Sequence, residues 1–319
     1  MHSSISSSEI HAERSHVSTR MAYRYVVWIH LTLSTLIVFC LATEALTRFG
    51  FAHVSRIEAR ISTDYRAARS IRSEKSSVLL IGNSLLLEGL DYPRLRRSLA
   101  GHAEAIVFPI EQTQYLDWYY GMRRLFDEGS QPKTVILCMS TEHLISPRIR
   151  GDYSAYYLFR LSDIPQIRRD IGYDLTKTSS LVLSRFSLFY AGRSSLRNFL
   201  LHRTDPAYAE MLQRIAITKA HFPPDEEIER TAEDRVSAFE RLCSLHGARF
   251  AFLLAPGFGP GEGPLETAGE RSHTTIMVPF QLNQLGTDKF RDGFHLNATG
   301  AQMFTDKLSG LLMSYSPGL

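Results

Sequence analysis

The hydrophobic pattern of this chain changes character twice. From Tyr25 to Thr43, "YVVWIHLTLSTLIVFCLAT" is an apolar run without an acidic residue, lysine or arginine, just long enough to cross a hydrocarbon core as a helix. Residues 25–47 are therefore expected to form a transmembrane anchor, preceded at 1–24 by a polar, serine-rich segment whose composition predicts disorder. A cleaved signal peptide fits less well. The leader is long and polar, the run exceeds a normal h-region, and no A-x-A site follows; Cys40 follows Phe39, which suits a lipoprotein site poorly. Arg14, Arg20 and Arg24 before the run are balanced by Arg48, Arg56 and Arg60 after it, so charge does not orient the span.

After the span, residues 48–75 switch to helical spacing, with Ile57, Ile61 and Ala68 on one side and charge on the other, predicting a helical linker. From residue 76 the pattern changes again to short, nearly continuous apolar runs: 77–82, 104–110, 133–139, 249–256 and 274–280. Runs of this length, rich in Val, Ile, Leu and Phe, suit strands covered on both faces, as in a parallel sheet. Helical segments lie between them, among them 116–129 and 231–247, the latter closing on Gly247 where a helix end favours glycine. The alternation predicts one α/β domain over 76–319, a three-layer, flavodoxin-like α/β/α fold with a parallel sheet of about five strands. Active sites in such folds lie at the carboxyl ends of the strands. Residues 148–230 break the rhythm, carry many aromatics and arginines, and are expected to be a helical insertion. Two readings of it are compatible with its composition: a lining for a sugar, lipid or membrane partner, or amphipathic helices packed onto the domain.

Composition narrows the picture little. The 319 residues are 44% hydrophobic and carry 36 basic and 33 acidic side chains, with no like-charge block of the kind that binds nucleic acid. Cys40, Cys138 and Cys243 each sit in an apolar run and are expected to be inert thiols; a bridge from Cys138 to Cys243 has no support in the pattern. The spacing of His102, His221, His246 and His273 does not suit a metal, and no cofactor motif is present.

Two stretches carry chemistry. "SSVLLIGNSLLLEGLDYP" (76–93) places Ser84 just past the first strand, two residues after Gly82, where a turn would present it at the sheet edge. "FRDGFHLNATGAQMFTDKLSGLL" (290–312) places Asp292 three residues before His295, ahead of a helix that Asn297 or Thr299 can cap. A serine hydroxyl is a weak nucleophile until a base takes its proton, and a histidine base works best when a carboxylate fixes its tautomer. Ser84, His295 and Asp292 supply those three roles. Arg291 and Lys289 beside them suit either attraction of an anion or a solvated loop face, and "APGFGPGEGP" (255–264) reads as a flexible rim.

The two blocks, "IGNSL" and "DGFHL", resemble those of SGNH (GDSL-like) hydrolases, over roughly residues 76–315. The resemblance implies Ser84 as nucleophile and Asp292 and His295 as acid and base. It also implies an oxyanion hole completed by a glycine in the second block and an asparagine in the third. Here the second reads "IEQTQYLDWYY" and the third "STEHLISP", so a backbone N–H near Gln112, and His143 or Thr141, are the expected substitutes. With the anchor, the chain is similar to membrane-tethered SGNH proteins of bacterial envelope polysaccharide systems, such as alginate acetylation and teichoic-acid D-alanylation. That implies an extracytoplasmic domain on the cytoplasmic membrane, acting on an acylated glycan or polysaccharide beside a membrane-bound O-acyltransferase. Polysaccharide O-acetyl transfer is the expected activity; an esterase and a non-catalytic docking partner of the same fold are the alternatives.

Overall fold

The computed structural model describes residues 7–51, 56–72, 76–204, 222–257, 262–281 and 284–315. The chain divides into two compact units, Met1–Val54 and Ser55–Leu319.

The first unit is built on helix α1, Ser7–Ala45. Between Ser7 and Ala45 there is neither glycine nor proline to stop a helix. That accounts for a departure from expectation: the polar leader is helical from Ser7 onward rather than disordered. Tyr23–Gly50 is long and apolar enough to cross a membrane, and its large side chains, Trp28, Ile37 and Phe39 among them, are exposed. It fits a single-pass anchor.

The second unit is a five-stranded parallel sheet, β1 (Ser77–Gly82), β2 (Glu104–Pro109), β3 (Thr134–Met139), β4 (Arg249–Leu254) and β5 (Thr275–Met277), in the order β2-β1-β3-β4-β5. The three central strands are buried almost throughout, which is why their sequences lack alternation. The last strand stops at Met277, short of the expected 274–280 run, before Pro279, which has no N–H to give a ladder.

One face of the sheet, Val78, Leu80, Ile136, Cys138, Ala251 and Leu253, forms a core with Leu86, Leu95, Phe304, Leu308 and Leu312. Those last residues come from helices Ser84–Gly89, Tyr92–Ser98 and Ala298–Tyr315. The opposite face is covered by helices Arg56–Arg69, Tyr115–Asp127 and Asp225–Leu245: Phe108 meets Tyr65 and Trp118 edge-on, and Phe250 stacks on Phe239 at 4.7 Å. Helices on both faces make the three layers.

Helix Arg56–Arg69 is thus a layer of the domain. It starts at the carboxyl end of the sheet, where Arg60 pairs with Glu111 at 2.7 Å, and finishes at the other end, where the Ala68 carbonyl accepts from Ser130. Ile61 and Ala68 are buried as expected, but Ile57, on the same stripe, is exposed in the first turn; Glu58 is buried instead, accepting the hydroxyls of Tyr153 and Tyr157. Between β3 and β4 the chain forms further helices, Asp152–Tyr157, Ile164–Ile171, Leu175–Phe186 and Leu188–Thr204. Cys138 and Cys243 are buried free thiols, and Cys40 is an exposed one.

Candidate active site

The chain leaves β1 for β2 on one side and reaches β3 on the other, so the connections diverge and open a crevice at the carboxyl end of β1. Gly82 ends that strand. A Cβ there would overlap the Cys138 carbonyl oxygen of β3, so only glycine fits. Asn83 is fully buried and caps the following helix, its Oδ1 accepting the Leu85 N–H at 3.0 Å. Its Nδ2 donates to the Thr113 carbonyl at 3.3 Å, tying the loop after β1 to the loop after β2. Ser84 is the first residue of that helix, half-buried at the mouth of the crevice.

The partner hairpin is as tightly specified. Phe290 and Leu296 form an antiparallel bridge, the Arg291 N–H donates to the His295 carbonyl at 2.8 Å, and Gly293 turns the chain at φ +94°. Asn297 caps the final helix through the Gly300 N–H at 3.1 Å, one of the two expected caps. This fold-back brings Asp292 onto its neighbour: Oδ1 accepts the His295 N–H at 2.9 Å, and Oδ2 lies 2.8 Å from His295 Nδ1. His295 Nε2 lies 3.0 Å from Ser84 Oγ. The imidazole side chain is only 14% exposed against 38% for Asp292. Partial burial works to raise the Asp292 carboxyl, but the hydrogen bonds from the His295 ring and from the His295 and Phe294 N–H groups outweigh it and hold it down to about 2.

The remaining expected residues fall into different positions. Gln112 is exposed and adopts φ +62°, a left-handed backbone that a residue with a Cβ rarely takes. It stands in the very loop where the resemblance implies a glycine. That loop is pinned on both sides of Gln112, by the Ile110 N–H on the Gly82 carbonyl at 2.9 Å and by Thr113, which receives Trp118 Nε1 at 2.8 Å. His143 follows β3, with Nδ1 2.6 Å from Ser140 Oγ. Burial, reinforced by the nearby His295, pushes its imidazole down to about 4, so it is neutral at physiological pH. Thr141 is buried at the start of the same short helix; among the described residues it forms no side-chain bond to Ser84 or His295. Arg291 and Lys289 are engaged in ion pairs, Arg291 with Glu88 at 2.6 Å and Lys289 with Asp288.

Sequence reasoning did not single out Asn83, Ser140 or Glu88. The signal for the first two was available, since Asn before a serine-led helix and Ser three residues before His143 are both capping patterns. Of the glycine-rich rim at 255–264, residues 258–261 lie outside the described residues, as does His221. Among the described residues, no group of three His, Cys, Asp or Glu is placed to hold a metal.

No family model matches the chain, and no curated protein does. Among solved structures it is similar to TesA, at 13% identity and a TM-score of 0.39, over 76% of this chain and all of that one.

Proposed function

We propose that the protein is a membrane-anchored serine acyl-ester enzyme of SGNH type, with Ser84 as nucleophile, His295 as base and Asp292 as the carboxylate that orients it. The observation that carries the reading is the unbroken relay from Asp292 Oδ2 through the His295 ring to Ser84 Oγ, with links of 2.8 and 3.0 Å.

The Nδ1–H donates to Asp292, which leaves Nε2 as acceptor for the Ser84 proton. Ser84 Oγ attacks the acyl carbonyl as its proton passes to Nε2. The tetrahedral oxyanion then collapses, the bond to the leaving oxygen breaks, and Nε2 returns the proton to that oxygen. A glycan hydroxyl or water repeats the sequence in reverse on the acyl-serine, giving its own proton to Nε2. Three donors suit the oxyanion: the Ser84 N–H, which opens a helix and has no partner within it, the Gln112 N–H, and Nε2–H of neutral His143. In the last case the Ser140 hydroxyl donates to Nδ1 and fixes the tautomer. Each such donor is typically worth ~3 kcal/mol in the transition state.

The finer reading is O-acetyl transfer to a bacterial envelope or secreted polysaccharide, on the extracytoplasmic side of the cytoplasmic membrane, with a membrane-bound O-acyltransferase as acyl source. One feature supports it: the apolar helix Tyr23–Gly50 suits an enzyme whose substrate is large and surface-bound. The test is to give the full-length protein an activated acetyl ester with and without a polysaccharide acceptor, and to look for acetyl-Ser84 by mass spectrometry and for acetylated glycan. Acetyl-serine discharged faster by glycan than by water supports transfer; discharge by water alone makes it an esterase. No acyl-serine in folded protein favours the non-catalytic docking partner, a reading that the missing family glycine and asparagine otherwise support.

A further inference from the structure

The contact of Ser84 with His295 has a companion. Glu88 lies one turn after Ser84 on helix Ser84–Gly89, and so on the same side of it. Arg291 lies on the final hairpin beside Asp292, and its Nη1 donates to Glu88 Oε2 at 2.6 Å. A second link thus joins the segment that carries the nucleophile to the segment that carries the base.

The other end of the same guanidinium faces the relay. Arg291 Nη2 is 3.4 Å from Asp292 Oδ2, the oxygen that lies 2.8 Å from His295 Nδ1. One cation is therefore shared unequally between two carboxylates, close to Glu88 and loosely to Asp292. Both push the guanidinium above its ordinary value, Glu88 more than Asp292.

The inequality matters because the negative charge of Asp292 stabilises the imidazolium that forms when His295 takes the Ser84 proton. A guanidinium closed onto Oδ2 would cancel part of that charge and compete with Nδ1–H for the same oxygen. Arg291 adjoins Asp292 in the chain, and its side chain is 58% exposed, so space does not prevent the closure. Glu88 opposes it. Exposed ion pairs add little stability, so what this pair contributes is the place in which it keeps the guanidinium.

We propose that Glu88 is a positioning residue of the relay: by taking Arg291 it keeps the cation off Asp292 Oδ2 and leaves the charge of that carboxylate to His295. The proposal rests on the reading of Ser84, His295 and Asp292 as a triad.

The other charged or titratable groups around the relay do not compete for that role. Lys289 is paired with Asp288 on the hairpin, and His143, on the helix after β3, is neutral at physiological pH. The test is to react the full-length protein, its Glu88→Gln and Arg291→Gln variants and the double variant with a fluorophosphonate, at low ionic strength, across about pH 5 to 9. Glu88→Gln should acylate about ten-fold more slowly, a small part of the roughly 10⁴ that losing the carboxylate costs. The acid limb of its pH–rate profile should move down by about half a unit or more, since a base with less support from Asp292 gives up its proton more readily. The double variant should regain most of the rate and the wild-type limb, because without the cation Glu88 has nothing to hold off. A loss in Glu88→Gln that persists in the double variant, or a Glu88→Gln rate within about two-fold of wild type, overturns the proposal and leaves the triad standing. A pair that merely clamps the two segments together gives the first of those results, with all three variants equally slow and the limb unmoved. Wild-type protein that stays unlabelled removes the triad and the proposal with it.

Discussion

His295 Nε2 lies 3.0 Å from Ser84 Oγ although 211 residues separate them in the chain. The sheet ends one and the last helix follows the other, so their meeting is a property of the whole domain. The carboxylate behind the histidine is local, only three residues away. Asp292→Asn should therefore leave the fold intact while lowering the rate of serine acylation by roughly 10⁴, since the amide no longer fixes the productive tautomer. Because Asp292 is held at about 2 against an ordinary 3.8, it stays ionised throughout the working range. Its contribution to stability is present above 3.8 and lost as pH falls towards 2. Urea midpoints of the wild type and the asparagine variant should converge over that window.

His143 gives a different pH signature. Its folded value, about 4, lies below the ordinary 6.5, so the unfolded chain binds more protons in between and stability falls as pH drops from 6.5 towards 4. Replacing it by asparagine should remove that slope. If its Nε2–H holds the oxyanion, His143→Ala slows acylation by about 10²-fold, and asparagine, which keeps a donor, recovers part of the loss.

Gln112→Gly separates backbone from side chain. Glycine takes φ +62° without strain, so the substitution should raise stability by up to about 1 kcal/mol. With the N–H as the working group, the acylation rate stays within about three-fold of wild type. A fall of ten-fold or more would assign the role to the glutamine amide.

Asn83 tests the tie between the two crevice loops. Asn83→Ala removes a cap and the bond to the Thr113 carbonyl, and should cost about 1–2 kcal/mol in thermal or urea unfolding. Asn83→Asp keeps the cap but turns a carboxylate towards that carbonyl in a site with no solvent exposure. It should be the worse of the two in both stability and rate.

These residues also mark how far the sequence can be read. The strands were legible because both faces are covered, and the run ending at Gly82 cannot be mistaken for a surface strand. The Asp292–His295 pair was legible because its contact spans one turn of chain. His143 was reached only through the resemblance; its hydrogen bond to Ser140 and the neutral state that burial gives it depend on packing that periodicity does not carry. Gln112 was legible as the stand-in for the glycine that the resemblance implies, but its left-handed backbone, which a residue with a Cβ rarely takes, was not. Leu175, Val182 and Leu183 of helix Leu175–Phe186 have the spacing of an ordinary core face and yet are exposed. Periodicity identifies an apolar side without saying whether it turns inward or outward.

The central claim is that Ser84 is an activated nucleophile with His295 as its base. Its most direct test is to react the purified full-length protein with a fluorophosphonate probe, map the adduct by mass spectrometry, and repeat with Ser84→Ala and His295→Ala. The account predicts one adduct at Ser84, absent from the first variant and at least 10³-fold slower in the second. Folded wild-type protein that stays unlabelled, or labelling of Ser84 that proceeds equally well without His295, would contradict it.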